Sequence, residues 1–191
     1  MNAEQTNKAT INYFKCVQQY VENLGKVKAT VGVHAENSKK DKYGVTTVQK
    51  AIWNEFGVEE WIAKRDYDFI KKGKQYFVSK GQKFKIPARP FVRLYVHPNS
   101  VKIIQQELNR NMRTMLNFHG RLTQPLKAAI TTMDNVGRKA KEEMKNLIKK
   151  GSPLYAPNSP FTVQIKGFNH PLYETGDLLN SIDSKLERRG V

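Results

Sequence analysis

Between Gln5 and Leu24 the apolar residues Ile11, Phe14, Val17, Tyr20, Val21 and Leu24, with Cys16 beside them, recur mostly at three- and four-residue steps. That period predicts a helix with one apolar stripe, and Gly25 predicts its end. The step then drops to two. Val27, Ala29, Val31 and Val33 alternate with Lys28, Thr30 and Gly32, as in a strand with one buried face, and Gly32 suggests close packing against a neighbour. Glu36 to Tyr43 is polar and leads into Gly44, as an exposed loop does. Thr46 or Thr47 is placed to cap a helix carrying Val48, Ala51, Ile52, Glu55 and Phe56, which Gly57 stops. Tyr67-Asp-Phe-Ile70 and Gln75-Tyr-Phe-Val78 flank Lys71-Lys-Gly-Lys74, which predicts a β-hairpin.

Pro90 favours a helix start carrying Phe91, Leu94 and Tyr95, with His97-Pro98 as its end. Val101, Ile103, Ile104, Leu108, Met112, Met115 and Leu116 predict a helix from Pro98 to Phe118, and a second from Gln124 to Lys150 pairs with it across Gly120. Gly151 stops that helix. Ser152 to Pro160 is irregular by composition, Thr175 is placed to cap a turn or short helix over Gly176 to Ser181, and Ile182 to Leu186 predicts a last strand. The fold class expected is α+β: a small antiparallel or mixed sheet packed with two long helices and an N-terminal helix, with a basic β-hairpin insertion. One domain is expected over 1–191, divided into an N-terminal helix (1–25), the hairpin insertion (58–85), the long helical pair (98–150) and a C-terminal loop and terminal motif (151–191).

Charge changes the picture more than length does. Thirty-three Lys and Arg against seventeen Asp and Glu leave +16 on 191 residues, which points to polyanions or acidic protein surfaces as partners. The excess is uneven, since Trp61 to Pro90 holds nine basic residues against Asp66 and Asp68. Within it Lys71, Lys72, Lys74, Lys80, Lys83 and Lys85 interleave with Tyr67, Phe69, Tyr76, Phe77 and Phe84. That arrangement suits phosphate contact and base stacking, and it is also what a strand pair produces when its aromatics pack inward and its lysines face water. The single Cys16 excludes an intramolecular disulfide, so synthesis in the cytoplasm is expected. Met1 to Thr10 is too polar for a signal peptide, and no apolar run has the length of a membrane span, so no membrane partner is expected.

No residue set carries covalent chemistry at a helpful spacing. His34, His97, His119 and His170 are scattered; His170, Glu174 and Asp177 form the one tight His/acid group, but Pro171 and Gly176 interrupt the helix that would align them as a metal or nuclease site. Neither a nucleophile elbow nor a phosphate-binding glycine loop is present. No catalytic, metal or cofactor residue is expected.

Four segments in order carry a different signal: Ala51-Ile-Trp-Asn-Glu-Phe-Gly57, Ile86-Pro-Ala-Arg-Pro-Phe-Val-Arg93, Gly151-Ser-Pro-Leu-Tyr-Ala-Pro157 and Pro171-Leu-Tyr-Glu-Thr-Gly-Asp-Leu-Leu-Asn-Ser-Ile182. With Val31-Gly32-Val33 ahead of them, the set resembles the long-tailed bacteriophage neck proteins called head-tail joining, tail-completion or minor tail proteins, of the lambda Z and Mu G type. The residues matching that family's pattern are Gly32, Asn54, Glu55, Phe56, Gly57, Pro87, Arg89, Phe91, Arg93, Pro171, Leu172, Thr175, Gly176, Leu178, Ser181 and Ile182. The chain departs from it in a longer basic link between Gly57 and Ile86, and in stopping soon after Ser181-Ile182, where relatives continue into a further strand.

The resemblance implies a structural virion protein: a homo-oligomeric ring, hexamer or dodecamer, between the head connector or stopper and the tail terminator or tail tube. Genome DNA in the channel is a further partner that it implies. Lys71, Lys72, Lys74, Lys80, Lys83, Lys85, Arg89 and Arg93 are then the candidate interface or channel contacts. The alternatives are a tail terminator capping the tube and a non-specific DNA-binding protein.

Overall fold

The computed structural model describes residues 3–41, 44–71, 73–117 and 124–189. The fold is α+β. In chain order it runs α1 (Ala3–Lys26), β1 (Val27–Val33), a 3-10 turn (Ala35–Asn37), α2 (Thr47–Phe56), β2 (Val58–Ile62), β3 (Tyr67–Lys71), β4 (Lys74–Val78), β5 (Lys83–Ile86), α3 (Phe91–Asn117), α4 (Pro125–Lys150), α5 (Pro160–Lys166), α6 (Asp177–Ser181) and β6 (Ile182–Arg188). The strands pair as β1 with β6, β2 with β5 and β3 with β4. Contacts divide the chain into two compact units: unit 1 is 1–32, 96–143 and 183–191, and unit 2 is 33–95 and 144–182.

Unit 1 is built from α1, most of α3 and α4, and the β1–β6 ladder. Tyr20 on α1 is 1% exposed and packs with Ala129, Leu24, Met112 and Ala128. Its hydroxyl lies 2.8 Å from the Thr132 hydroxyl, which satisfies two polar groups that burial would otherwise penalise. Burial pushes the Tyr20 phenol above its ordinary value, with the Thr132 bond opposing. Gly137 lets α4 approach the ladder, because a Cβ there would stand 3.3 Å from Ser184 Cβ and 3.5 Å from Ala29 Cβ. Gly32 differs from expectation. Space is open around it, and its requirement is a φ of 151°, which side-chain-bearing residues rarely adopt.

The predicted break at His97-Pro98 is absent, since α3 runs helically from Phe91 to Asn117. A proline removes one backbone bond from a helix interior, and a helix this long retains enough bonds on either side to continue. Gly25 likewise lies inside α1. The predicted pairing point at Gly120 lies outside the described residues.

Unit 2 holds the motif segments. Thr46 caps α2 through a capping box, its hydroxyl accepting from Gln49 N while the Gln49 side chain accepts from Thr46 N. The hairpin β3–β4 forms with Tyr67 opposite Val78 and Phe69 opposite Tyr76. The sequence reading missed a further antiparallel pair, β2–β5, with Trp61 opposite Phe84 and Ile62 opposite Lys83. It also missed α5, which Ser159 caps and which begins on Pro160. Among the described residues no helix is long and apolar enough to cross a membrane.

Candidate functional site

The first two motif segments meet at Glu55. Its side chain faces inward from α2, 5% exposed, and its carboxylate accepts from the backbone N–H groups of Val92 at 2.9 Å and Arg93 at 3.0 Å. Those two donors sit in the first turn of α3, where no helical carbonyl can reach them. Glu55 therefore caps α3 from a different helix, and its negative charge suits the positive end of the helix dipole. Arg93 reinforces the junction: Nε donates to the carboxylate at 3.0 Å, Nη2 donates to the Glu55 carbonyl at 2.5 Å, and the guanidinium lies 5.0 Å from the centre of the Phe56 ring.

Gly57 ends α2 with φ 78°, and a Cβ there would come within 2.9 Å of Ala88 N and 3.0 Å of Ile86 O. The glycine is thus required twice, by its conformation and by the passing chain. Arg89 ties in the third segment. Its backbone N donates to Asn54 O at 2.5 Å, Nε donates to Ala156 O at 2.8 Å, and Nη2 donates to Pro157 O at 3.0 Å. Burial holds the Arg89 guanidinium below its ordinary value. Tyr155 in the same segment is 6% exposed, and its phenol is pushed up to about 12 by burial and then by the Glu55 charge.

The fourth segment closes unit 2 by packing α6 on α2, with Leu179 buried. Gly176, at φ 83°, is the N-cap residue, not Thr175 as expected. The Thr175 hydroxyl still accepts from the first helical N–H, that of Asp177, at 3.4 Å, and it donates to the Asp177 carboxylate at 2.7 Å. Ser181 donates to Leu178 O at 2.7 Å, and Phe91 and Ile182 are each 1% exposed.

The basic strands look different. Phe69 stacks on Tyr76 at 5.5 Å, Trp61 lies 5.5 Å from Phe84, and Phe84 lies 6.3 Å from Phe161 of α5. These aromatics pack on each other, while Ile70 and Phe77 on the opposite face are exposed. Several of the lysines have partners within the unit. Lys71 pairs with Glu174, Lys83 with Glu60 at 3.0 Å and Lys85 with Glu59 at 2.8 Å. Exposed pairs of this kind add little stability, but they lower the local field that a polyanion would meet. Lys74 and Lys80 are exposed, and Lys72 lies outside the described residues. Arg89 and Arg93, grouped with these lysines on the sequence, belong to the internal junction.

His170 is not brought into a metal constellation. Its ring nitrogens each lie 2.9 Å from a carbonyl oxygen, of Pro171 and of Lys149, while Glu174 is engaged by Lys71 and Asp177 by Thr175. Among the described residues no group of three or more His, Cys, Asp or Glu is placed to hold a metal ion. No protein-family model, curated protein or solved structure matches the chain.

Proposed function

We propose that the chain is a non-enzymatic structural protein of a bacteriophage neck, acting in tail completion or head-tail joining as a subunit of a ring between head connector and tail tube. The observation that carries this reading is the Glu55 junction. The first three motif segments, in the order of the family they resemble, interlock within unit 2 through Glu55, Arg93, Arg89 and Gly57, and the fourth packs its helix α6 on α2. Their residues are used for holding the chain in shape, as a part that works by geometry requires.

A ring closes only if every subunit repeats one heterologous contact at one rotation, so a stiff subunit favours closure over an open filament. The pairing of Lys71, Lys83 and Lys85 with carboxylates lends less support to the non-specific DNA-binding alternative. Gold-labelled antibody on purified virions tests the reading. Label confined to the neck is the expected result, and virions without the protein would sink it. Label at the end of free tails, before any head is joined, assigns the chain instead to the tail terminator.

A further inference from the structure

A small polar cleft in unit 2 has a volume of about 210 Å3 and is lined in part by Asn54, Arg89, Asn158, Lys166, Leu172 and Thr175. Arg89 and Lys166 are each only 7% exposed. Buried cations are costly unless compensated, and every hydrogen-bond acceptor on Arg89 is neutral: the carbonyls of Ala156 and Pro157, and Asn158 Oδ1 at 3.3 Å. Lys166 donates to the His170 carbonyl at 2.7 Å. Its ammonium is held below its ordinary value chiefly by burial, with Glu174 opposing and Arg89 and Lys71 adding to the effect. Two further features mark the place. Asn158 Nδ2 is buried with no acceptor, and Leu172 holds a φ of 63°, a conformation that residues other than glycine rarely keep without a reason.

We propose that this cleft binds a single carboxylate group through the Arg89 and Lys166 cations. The cleft is smaller than the roughly 300 Å3 at which drug-sized pockets begin, so it suits one functional group of a larger partner or a very small acid. A monoanion is favoured over a phosphate dianion because Glu174 and Asp177 also line the cleft and repel each added negative charge. At the edge of the cleft Lys50 pairs with Asp41 at 2.8 Å, Glu174 is engaged by Lys71, and Asp177 accepts from the Thr175 hydroxyl at 2.7 Å. The site stands independently of the neck assignment, since it rests on these side chains alone.

Acetate is the probe. Titrated against the 15N-labelled full chain, with chloride holding ionic strength constant, it should produce saturable shifts at the Thr175 and Gly176 amides and bind at least tenfold more weakly to Lys166→Met. Asn158→Asp supplies a carboxylate to Arg89 from within the chain and removes the unsatisfied amide donor. That variant should melt higher than the parent and lose the acetate response, which decides the matter even if Lys166→Met fails to fold. Inorganic phosphate should bind more weakly than acetate, and tighter phosphate binding overturns the carboxylate assignment. Absence of a saturable acetate response, or one unchanged in both variants, overturns the site.

Discussion

Among the described residues each unit buries one glutamate, and the two are held in opposite ways. Glu55 in unit 2 is 5% exposed and surrounded by hydrogen bonds: two helix N–H groups and the Arg93 guanidinium converge on its oxygens. Glu107 in unit 1 is fully buried, yet neither of its oxygens receives a hydrogen bond of good geometry; Lys139 Nζ stands 2.5 Å away and Arg110 Nη1 3.8 Å away as ionic partners. Glu55 fixes directions, because hydrogen bonds are angular. Glu107 balances charge, and the side chains of Lys139 and Arg110 reach solvent and keep much of their hydration. The junction in unit 2 therefore specifies a shape, whereas the ionic cluster of Glu107, Lys139 and Arg110 in unit 1 imposes no such directions.

The strongest way to break this contrast is Glu55→Ala, which strips the cap from α3 and leaves its two part-buried N–H donors and the Arg93 guanidinium without their acceptor. We expect a loss of about 2–4 kcal/mol in denaturant unfolding, the scale of losing a helix cap together with the charge-assisted hydrogen bonds on one carboxylate. A loss below about 1 kcal/mol would mean the junction is ornamental.

Tyr155 reports on the same carboxylate through pH. An unfolded tyrosine loses its proton near pH ~10, whereas Tyr155 holds its own to about 12. The stabilisation is therefore complete below pH ~10 and disappears as pH rises through 12, a fall of about 2–3 kcal/mol for this group. Tyr155→Phe should lack that part of the alkaline fall while remaining near wild-type stability at pH 7, because the buried hydroxyl has no hydrogen-bond partner to lose. Melting curves from pH 7 to 12 check both statements.

Gly57→Ala puts a methyl group against the backbone at Ala88 and Ile86 and forces φ 78° on an L-residue, so we expect a cost of about 1–3 kcal/mol by chemical denaturation. The smallest effect belongs to unit 1. Glu107→Met fills the same volume and leaves Lys139 and Arg110 to solvent, so stability should stay within about 1 kcal/mol of wild type or rise. A large loss there would erase the difference between the two glutamates.

The two sites differed as much in how readable they were. Asn54-Glu-Phe-Gly57 stands out on the chain, and Gly57 was legible as a helix stop, but that Glu55 caps a helix beginning at Phe91 depends on a tertiary meeting that no local pattern encodes. Glu107 was invisible. The apolar stripe of α3 included Val101 and Ile104, which the structure leaves exposed, and Ile103, which it buries; the position one helical turn on is taken by Glu107, which the stripe did not include. Periodicity does not nominate a carboxylate for a core.

The outer ladder β2–β5 escaped for a related reason. Val58-Glu-Glu-Trp-Ile62 does not alternate and Lys83-Phe-Lys-Ile86 is short, so only their pairing reveals that Glu59 and Glu60 face Lys85 and Lys83. Counting lysines along the chain overstated the free positive charge accordingly. The inner hairpin was legible because Tyr67, Phe69, Tyr76 and Val78 keep the two-residue step on both of its strands.

The proposal that the chain is a neck subunit is tested most directly by joining. In a phage whose gene for this chain carries a nonsense mutation, filled heads and finished tails should accumulate apart, and adding the purified protein to that lysate should yield joined, infectious particles. Normal joined virions in its absence would contradict the account.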